Sequence, residues 1–400
     1  MIDWTTAAEA ILPEMTALRR AIHAEPELGL HNPRTAEKIM AALAGLPLEI
    51  RTGPSTTGII ATLRGPANGR TVLLRGDSDA LPMPEETGLD FASTIPGAMH
   101  ACGHDAHVAM LAGAARILCE RRESLAGSVM FMFQPGEEGH HGAKHMLDDG
   151  LLAAADGPLP DAAFALHIMP NAPWGVVGGR AGPLLASNDK LRIVVTGRGG
   201  HASMPHESLD PVPIACEIAL ALQTFVTRQV NVFDPAVITI GQISAGTTDN
   251  VIPETALLYG TMRTLSAATR ARLHEGLPRL AQGIAAAHGA SASVEIIPGF
   301  PVTVCDGRAV ALGETVTRAL FGDGSWQAMA HPIMGAEDFA YVLEKVPGAM
   351  FFLGVAEQGS DWRGCCGLHS SHMHLDESAM ARGAALHAGI AERFLAEGFA

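Results

Sequence analysis

Short apolar runs in this chain break off at carboxylates, imidazoles and turn residues, and this pattern restricts the fold more than any other feature. RTVLLRGD closes on Asp77, with Asp79 just beyond. GSVMFMFQPGEEG stops at Pro135-Gly136 and releases Glu137 and Glu138, and DAAFALHIMP carries His167 near its end before Pro170. Apolar runs this short, bounded by turn residues, read as strands covered on both faces. Helical segments alternate with them, HDAHVAMLAGAARIL above all. The alternation predicts an α/β fold on a mainly parallel, doubly wound sheet. Such sheets gather ligands beyond the carboxyl ends of their strands, which is where these polar residues fall.

The rest of the chain extends this layout. Apolar spacing predicts an amphipathic helix over Thr5–His23 and a second near Arg34–Leu46, started by Asn32-Pro33. LEIRT and GIIATLRG read as further strands. Around Ala186 the texture changes. LRIVVTGRGG, AVITIGQIS, TALLYGTMRTL and SASVEII read as strands, and PVPIACEIALALQTFV and RARLHEGLPRLAQGIAAAHG as helices. Their β-α-β-β-α-β order is the ferredoxin-like arrangement. A length of 400 residues suits two domains. The expected division is a discontinuous main domain over 1–185 and 298–400, with a smaller domain over 186–297 inserted in it. Helix and strand segments resume after Pro298 and end in a helix from about Glu377.

Composition narrows the partners. Lys and Arg number 27 against 42 Asp and Glu, a net charge of −15 with His neutral. Nucleic acid and anionic membranes call for a cationic face, so neither is expected as a partner. Cys102, Cys119, Cys216, Cys305, Cys365 and Cys366 are scattered without a CxxC pair, which is no disulfide scaffold. The opening segment has acids and no basic stretch ahead of an apolar one, unlike a secretory signal. No run approaches the ~18 apolar residues of a membrane span. A reducing cytoplasm is the expected setting. His is frequent, 18 beside 2 Tyr and 4 Trp, but frequency alone assigns no role.

Position says more. MHACGHDAHVA crowds His100, Cys102, His104, Asp105 and His107 at the opening of a helix. Thiolate, imidazole and carboxylate are the ligands of zinc and similar divalent cations, and Cys102 and His104 on one loop can face one cavity. Glu137 and Glu138 directly follow a strand, so their side chains turn in different directions. One carboxylate can then hold a metal while the other handles a proton. His167 fits a core residue as readily as a ligand, and spacing does not choose among His369, His372 and His374 in GCCGLHSSHMHLDE. In the smaller domain, His201 and His206 occupy a Gly-rich turn with no acid or thiol at ligand spacing. A His there suits either turn packing or donation to an oxyanion as a lid closes. Asn250 and Arg263 suit a substrate carboxylate. Glu337 and Asp338 in MGAEDFAYV precede an apolar helix as N-cap residues do. A rival reading makes Cys102 a nucleophile with His104 or His100 as base, and leaves the surplus of imidazoles and acids unused.

These motifs resemble the amidohydrolase branch of the aminoacylase and carboxypeptidase-type metallopeptidases, which includes hippurate hydrolase, N-acetyldiaminopimelate deacetylase and the plant indole-acetyl-amino-acid hydrolases. RRAIHAEPELG, LLRGDSDALP, MHACGHDAHVAML, FMFQPGEEG, ALHIMP, GRGGHASMPH, DNVIP, MGAEDFAYV and GLHSSHMHLD fall in family order. The resemblance implies a zinc-peptidase-like catalytic domain and a ferredoxin-like lid that forms a homodimer or a higher homo-oligomer. It implies two divalent metal ions per subunit, zinc, manganese, cobalt or nickel, held by Cys102, His104, Glu138, His167 and His369 with Cys102 bridging. Glu137 is then the general base, Asp79 orients a ligand with Asp77 in support, His201 reaches an active site across the dimer, and Asn250 contacts substrate. The implied reaction hydrolyses an N-acyl amino acid of the hippurate or N-acetyl type to a carboxylate and a free amino acid. A metallo-carboxypeptidase or dipeptidase on short peptides is the alternative, with a catalytically silent acyl-amino-acid binder behind it. One stretch departs from the family. LHSSHMHLD lacks the usual proline and aromatic and adds His372 and His374, and Ser78 replaces a larger residue.

Overall fold

The computed structural model describes residues 3–66, 68–153, 159–364 and 366–399. The chain divides into two compact units, one of Met1–Leu184, Val304–His331 and Asp338–Ala400, the other of Leu185–Thr303 and Pro332–Glu337. Pro332–Glu337 falls within what the sequence assigns to the main domain, and packs with the smaller unit.

The first unit is built on an eight-stranded sheet. Its order is Leu48–Thr52, Ile59–Arg64, Gly127–Gln134, Arg70–Asp77, Ala162–Met169, Gly348–Gly354, Val177–Gly179 and Trp326–Ala328. From Gly127–Gln134 to Gly348–Gly354 the neighbours run parallel. Antiparallel pairs lie outside this block. The central strands are buried on both faces, as continuous apolar runs require. Register then builds the functional edge. Asp77 pairs with Gln134, and Arg75 pairs with Ala165, which brings His167 level with Asp77.

The buried helix His104–Glu120 is rich in Ala and Gly because other helices press close on it. A Cβ on Gly113 would meet Met15 Sδ at 2.4 Å, and one on Gly383 would meet Met110 Sδ at 2.0 Å. Close packing of this kind leaves no room for larger side chains. At the N-terminus the expected single helix is two, Trp4–Ala10 and Leu12–His23, broken at Ile11 with φ −102° and ψ 6°. Pro13 causes the break, since its ring would strike the Glu9 carbonyl of a continuous helix. The next helix, Pro33–Leu43, ends earlier than expected, where Ala44 turns extended.

The second unit carries a four-stranded antiparallel sheet ordered Ala236–Ala245, Thr255–Thr264, Asp189–Thr196, Ser291–Pro298. Helices Pro211–Gln229 and Ala267–Ala287 complete the β-α-β-β-α-β order, and Leu191, Ile193, Leu222, Leu258 and Leu273 share its core. Among the described residues no helix is long and apolar enough to cross a membrane. Cys102, Cys119, Cys216, Cys305 and Cys366 are free, and Cys365 lies outside the described residues.

A buried charge cluster ties helix Leu12–His23 to the start of helix His104–Glu120. His23 Nδ1 lies 2.8 Å from Asp105 and Nε2 lies 3.1 Å from Glu85, while Arg19 Nε donates to Asp105 at 2.9 Å. Burial alone would push the imidazole down, but the Asp105 charge and the hydrogen bonds to Asp105 and Glu85 prevail, raising its pKa to about 9. An unfolded His titrates near ~6.5. The stabilisation is therefore complete below that pH and is lost as pH rises through about 9. Its size is at most about 3–4 kcal/mol at ~1.4 kcal/mol per pH unit. Urea unfolding between pH 6 and 9 should show wild type losing more stability than His23→Gln, and parallel curves would exclude this charge as the cause.

Candidate metal centre

The carboxyl edge of the first sheet collects the ligand-type residues because each strand or its following loop delivers one. His167 lies near the end of Ala162–Met169, Glu137 and Glu138 follow Gly127–Gln134, and Cys102 and His104 lie at the start of the helix behind Arg70–Asp77. Two groups share one thiol. Cys102, His104 and His167 form the first, Cys102, Glu138 and His369 the second, and in each the ligand atoms lie within 4.8 Å of one another. His104, Glu137 and Glu138 form a third such group.

Hydrogen bonds set which atoms face inward. His104 Nδ1 donates to the Asp79 carbonyl at 2.8 Å, and His167 Nδ1 donates to the Ile168 carbonyl at 2.6 Å. Both rings thus present Nε2 to the cluster. His167 Nε2 lies 3.4 Å from Cys102 Sγ. His104 Nε2 is buried and makes no well-formed hydrogen bond, with the nearest Asp77 oxygen at 3.4 Å. Glu138 Oε1 is likewise unsatisfied, although His369 Nε2 stands 3.2 Å away. His369 adopts φ 63°, unusual outside glycine, and its N–H is anchored on the Ala101 carbonyl at 2.8 Å.

The electrostatics suit a bound cation. Burial pushes the Cys102 thiol up to about 12, so only a cation makes its thiolate stable there. Burial also opposes charge on Asp77, but Arg75 and then His104 and His107 hold it well below the usual carboxylate range. His104 is raised well above an ordinary imidazole despite burial, chiefly by the Asp77 charge. His167 is pushed well below, by burial first, and is neutral. Soft and borderline donors, inward-facing Nε2 atoms and unsatisfied buried atoms fit divalent cations.

Asp79 acts through the backbone. Its Oδ1 and Oδ2 accept the N–H groups of Glu137 and Glu138 at 2.9 and 3.0 Å, so one carboxylate sets both glutamates while its own carbonyl sets His104. Asp338, expected as an N-cap, has another task. It accepts from Gln134 Nε2 at 2.8 Å, Arg75 Nη2 at 3.2 Å and Ala143 N at 2.8 Å, and the helix after it spans only Ala340–Leu343. Sequence reading passed over Arg75 and Gln134. The signal was present, since a charged residue inside a buried apolar run must have a partner. His100 is buried with both nitrogens unpartnered and belongs to none of the ligand groups. His372 is held by Glu86, Nδ1 lying 2.8 Å from its carbonyl, and His374 Nδ1 lies 3.7 Å from Cys366 Sγ.

Within the second unit, His201 pairs with Val251 and the Ala202 N–H donates to the Asn250 carbonyl at 3.2 Å, which places His201 beside Asn250. Ser203 N donates to His201 Nδ1 at 3.1 Å, so the neutral ring carries its proton on Nε2. Arg263 is not with them. It lies at the far end of Thr255–Thr264, ~26 Å along the strand from Thr255 at ~3.3 Å per residue. Within one copy of this unit, Asn250 and Arg263 do not grip one carboxylate together.

Fold and site together define a hydrolase class with two adjoining cation positions. Residues 73–393 match Peptidase family M20/M25/M40, and the chain belongs to this family. It is 38% identical over 377 residues to N-acetylcysteine deacetylase of Bacillus subtilis, covering 94% of this chain and 95% of that protein. It is 37% identical over 382 residues to thermostable carboxypeptidase 1 of Saccharolobus solfataricus, covering 94% of each. Among solved structures, a dinuclear metal-binding peptidase of the M20 family from Bacillus subtilis superposes with a TM-score of 0.83 at 35% identity, covering 97% of this chain and 99% of that one.

Asp79→Asn should release the glutamate loop, because an amide offers one acceptor where the carboxylate offers two. Hydrogen exchange at the Glu137 and Glu138 amides should speed by about 10- to 100-fold, matching ~1.5–3 kcal/mol for a bond to a charged group. Unchanged protection would show that Asp79 does not hold the loop.

Proposed function

We propose that this protein is a metal-dependent amidohydrolase that cleaves N-acyl amino acids to a carboxylate and a free amino acid. The observation that carries the reading is the pair of ligand groups sharing Cys102, with Glu137 beside them. Cys102, His104, His167, Glu138 and His369 would hold two divalent cations. When bound, these supply Lewis acidity toward the amide carbonyl and make a nearby water more acidic.

Glu137 does the proton work. Only 6% exposed and pinned at its backbone by Asp79, its carboxylate accepts the proton of the attacking water and returns it to the amide nitrogen as the C–N bond breaks. His201 donates its Nε2 proton to the oxyanion, and Asn250 contacts the substrate beside it. In this reading a cytoplasmic homodimer supplies His201 from the second subunit, so light scattering should report a dimer.

A carboxypeptidase or dipeptidase activity is the second reading, favoured by the relative named as a carboxypeptidase. The two chemistries converge, since a C-terminal peptide bond is itself an N-acyl amino acid linkage. A panel of N-acetyl amino acids, hippurate and dipeptides, run on protein loaded with zinc, manganese, cobalt or nickel, separates them. Turnover that chelator abolishes and metal restores is expected. A chelator-resistant, alkylation-sensitive activity would instead revive the thiol mechanism. Glu137→Gln should keep its metal and lose about 10²- to 10⁴-fold in kcat, and retained turnover would remove Glu137 as the base.

A further inference from the structure

Resting on that metal-centre reading, we propose that His107 is a positioning residue that clamps the Ile168 peptide and thereby keeps His167 Nε2 turned toward the cation. Asp77, His104 and His107 come within ligand distance of one another, which would make His107 a candidate ligand. Its hydrogen bonds exclude that. The Ile168 N–H donates to His107 Nε2 at 2.8 Å. A backbone amide can only donate, so Nε2 bears no proton and its lone pair is taken. Nδ1 therefore carries the proton and donates it to Asp77 Oδ1 at 2.5 Å. Arg75 Nη1 holds the other Asp77 oxygen at 2.7 Å. No lone pair of the His107 ring remains for a cation.

The strand end explains why a side chain is needed there. The ladder from Arg70–Asp77 to Ala162–Met169 stops at the Arg75–Ala165 pair, so Ile168 lies beyond the last partner on that side. The His107 imidazole supplies the missing acceptor. The same Ile168 residue then accepts His167 Nδ1 on its carbonyl at 2.6 Å. The two rings also meet edge to face, with centroids 4.6 Å apart and planes at 66°. His107 and Ile168 are both buried, so solvent is a poor substitute for a lost bond. Orientation thus passes from Arg75 through Asp77 and His107 to the Ile168 peptide and on to His167.

Two substitutions divide the ring's functions. The amide of Asn reaches the Nδ1 position and can still donate to Asp77, while that of Gln reaches the Nε2 position and can still accept from Ile168. Metal-free full-length wild type, His107→Asn and His107→Gln are titrated calorimetrically with Zn²⁺ alone and with Mn²⁺ alone, and their Co²⁺ absorption spectra are compared. His107→Asn should weaken one of two cation sites by about 10- to 100-fold and alter the cobalt spectrum, and His107→Gln should restore that site to within a few-fold of wild type. Equal affinities in all three proteins would overturn the proposal, as would a lowered Tm of the metal-free variants with cation binding unchanged. A wild type that binds no cation overturns the metalloenzyme reading itself. Histidine ¹⁵N shifts of the metal-free wild type give a readout independent of any variant: His107 should be protonated on Nδ1 only, and an Nε2-protonated ring would overturn the assignment.

Discussion

At the end of a central strand the Asp77 carboxylate sits in a place with no solvent. Burying such a charge costs several kcal/mol unless it is matched, and the match shapes everything around it. Arg75 lies on the same face of the strand, where alternation puts a residue two positions away, and donates to Asp77 at 2.7 Å. The guanidinium has its own demands. It also donates to Gln134 at 2.9 Å and to Asp338 at 3.2 Å, and Asp338 in turn holds the Ala143 N–H. One buried charge thus binds two neighbouring strands, the helix His104–Glu120 through His107, and the segment at Asp338. Removing one partner of such a buried set costs about 3–5 kcal/mol, so the loop with Glu137 and Glu138 is tethered at both its ends.

A contrast among the buried imidazoles follows from this arrangement. His104 and His167 donate Nδ1 to backbone carbonyls, neutral acceptors that orient a ring and leave its Nε2 to the cluster. His107 donates to a carboxylate and has its Nε2 occupied by a backbone amide. Whether Nε2 is left to the cluster or taken by a backbone amide therefore separates the rings that could receive a cation from the one that supports them. Position along HACGHDAH carries no trace of this distinction, because the partners come from other strands.

That difference marks how far the sequence could be read. The strand ends were legible since each is an apolar run with a polar stop, and the β-α-β-β-α-β order was legible since it follows from alternation and helical period alone. The residues gathered at the sheet edge were legible as residue types. What stayed hidden depends on contacts across the fold. Asp338 reads as a helix cap until Arg75 and Gln134 are seen to face it. Arg263 and Asn250 read as partners until the strand between them is laid out. The break at Ile11 was available locally from Pro13, and the apolar period through it was simply the louder signal.

The cluster's exposure bears on how it is loaded. Cys102 and His167 are each 7% exposed and His104 1%, whereas the side chains of Glu138 and His369 are 15% and 53% exposed. Cys102, His104, Glu138 and His167 sit on a strand end, a tethered loop and a helix start, and His369 sits on a loop with left-handed backbone. The inner residues are thus prearranged, and their alignment would cost little on binding a cation. His369 is the most exposed of the five, with its N–H fixed on the Ala101 carbonyl and its Nε2 3.2 Å from Glu138. Arrival of a cation also displaces protons. For a cation to bind, the Cys102 thiol would have to ionise and His104 would have to give up its second proton, so acid would oppose loading.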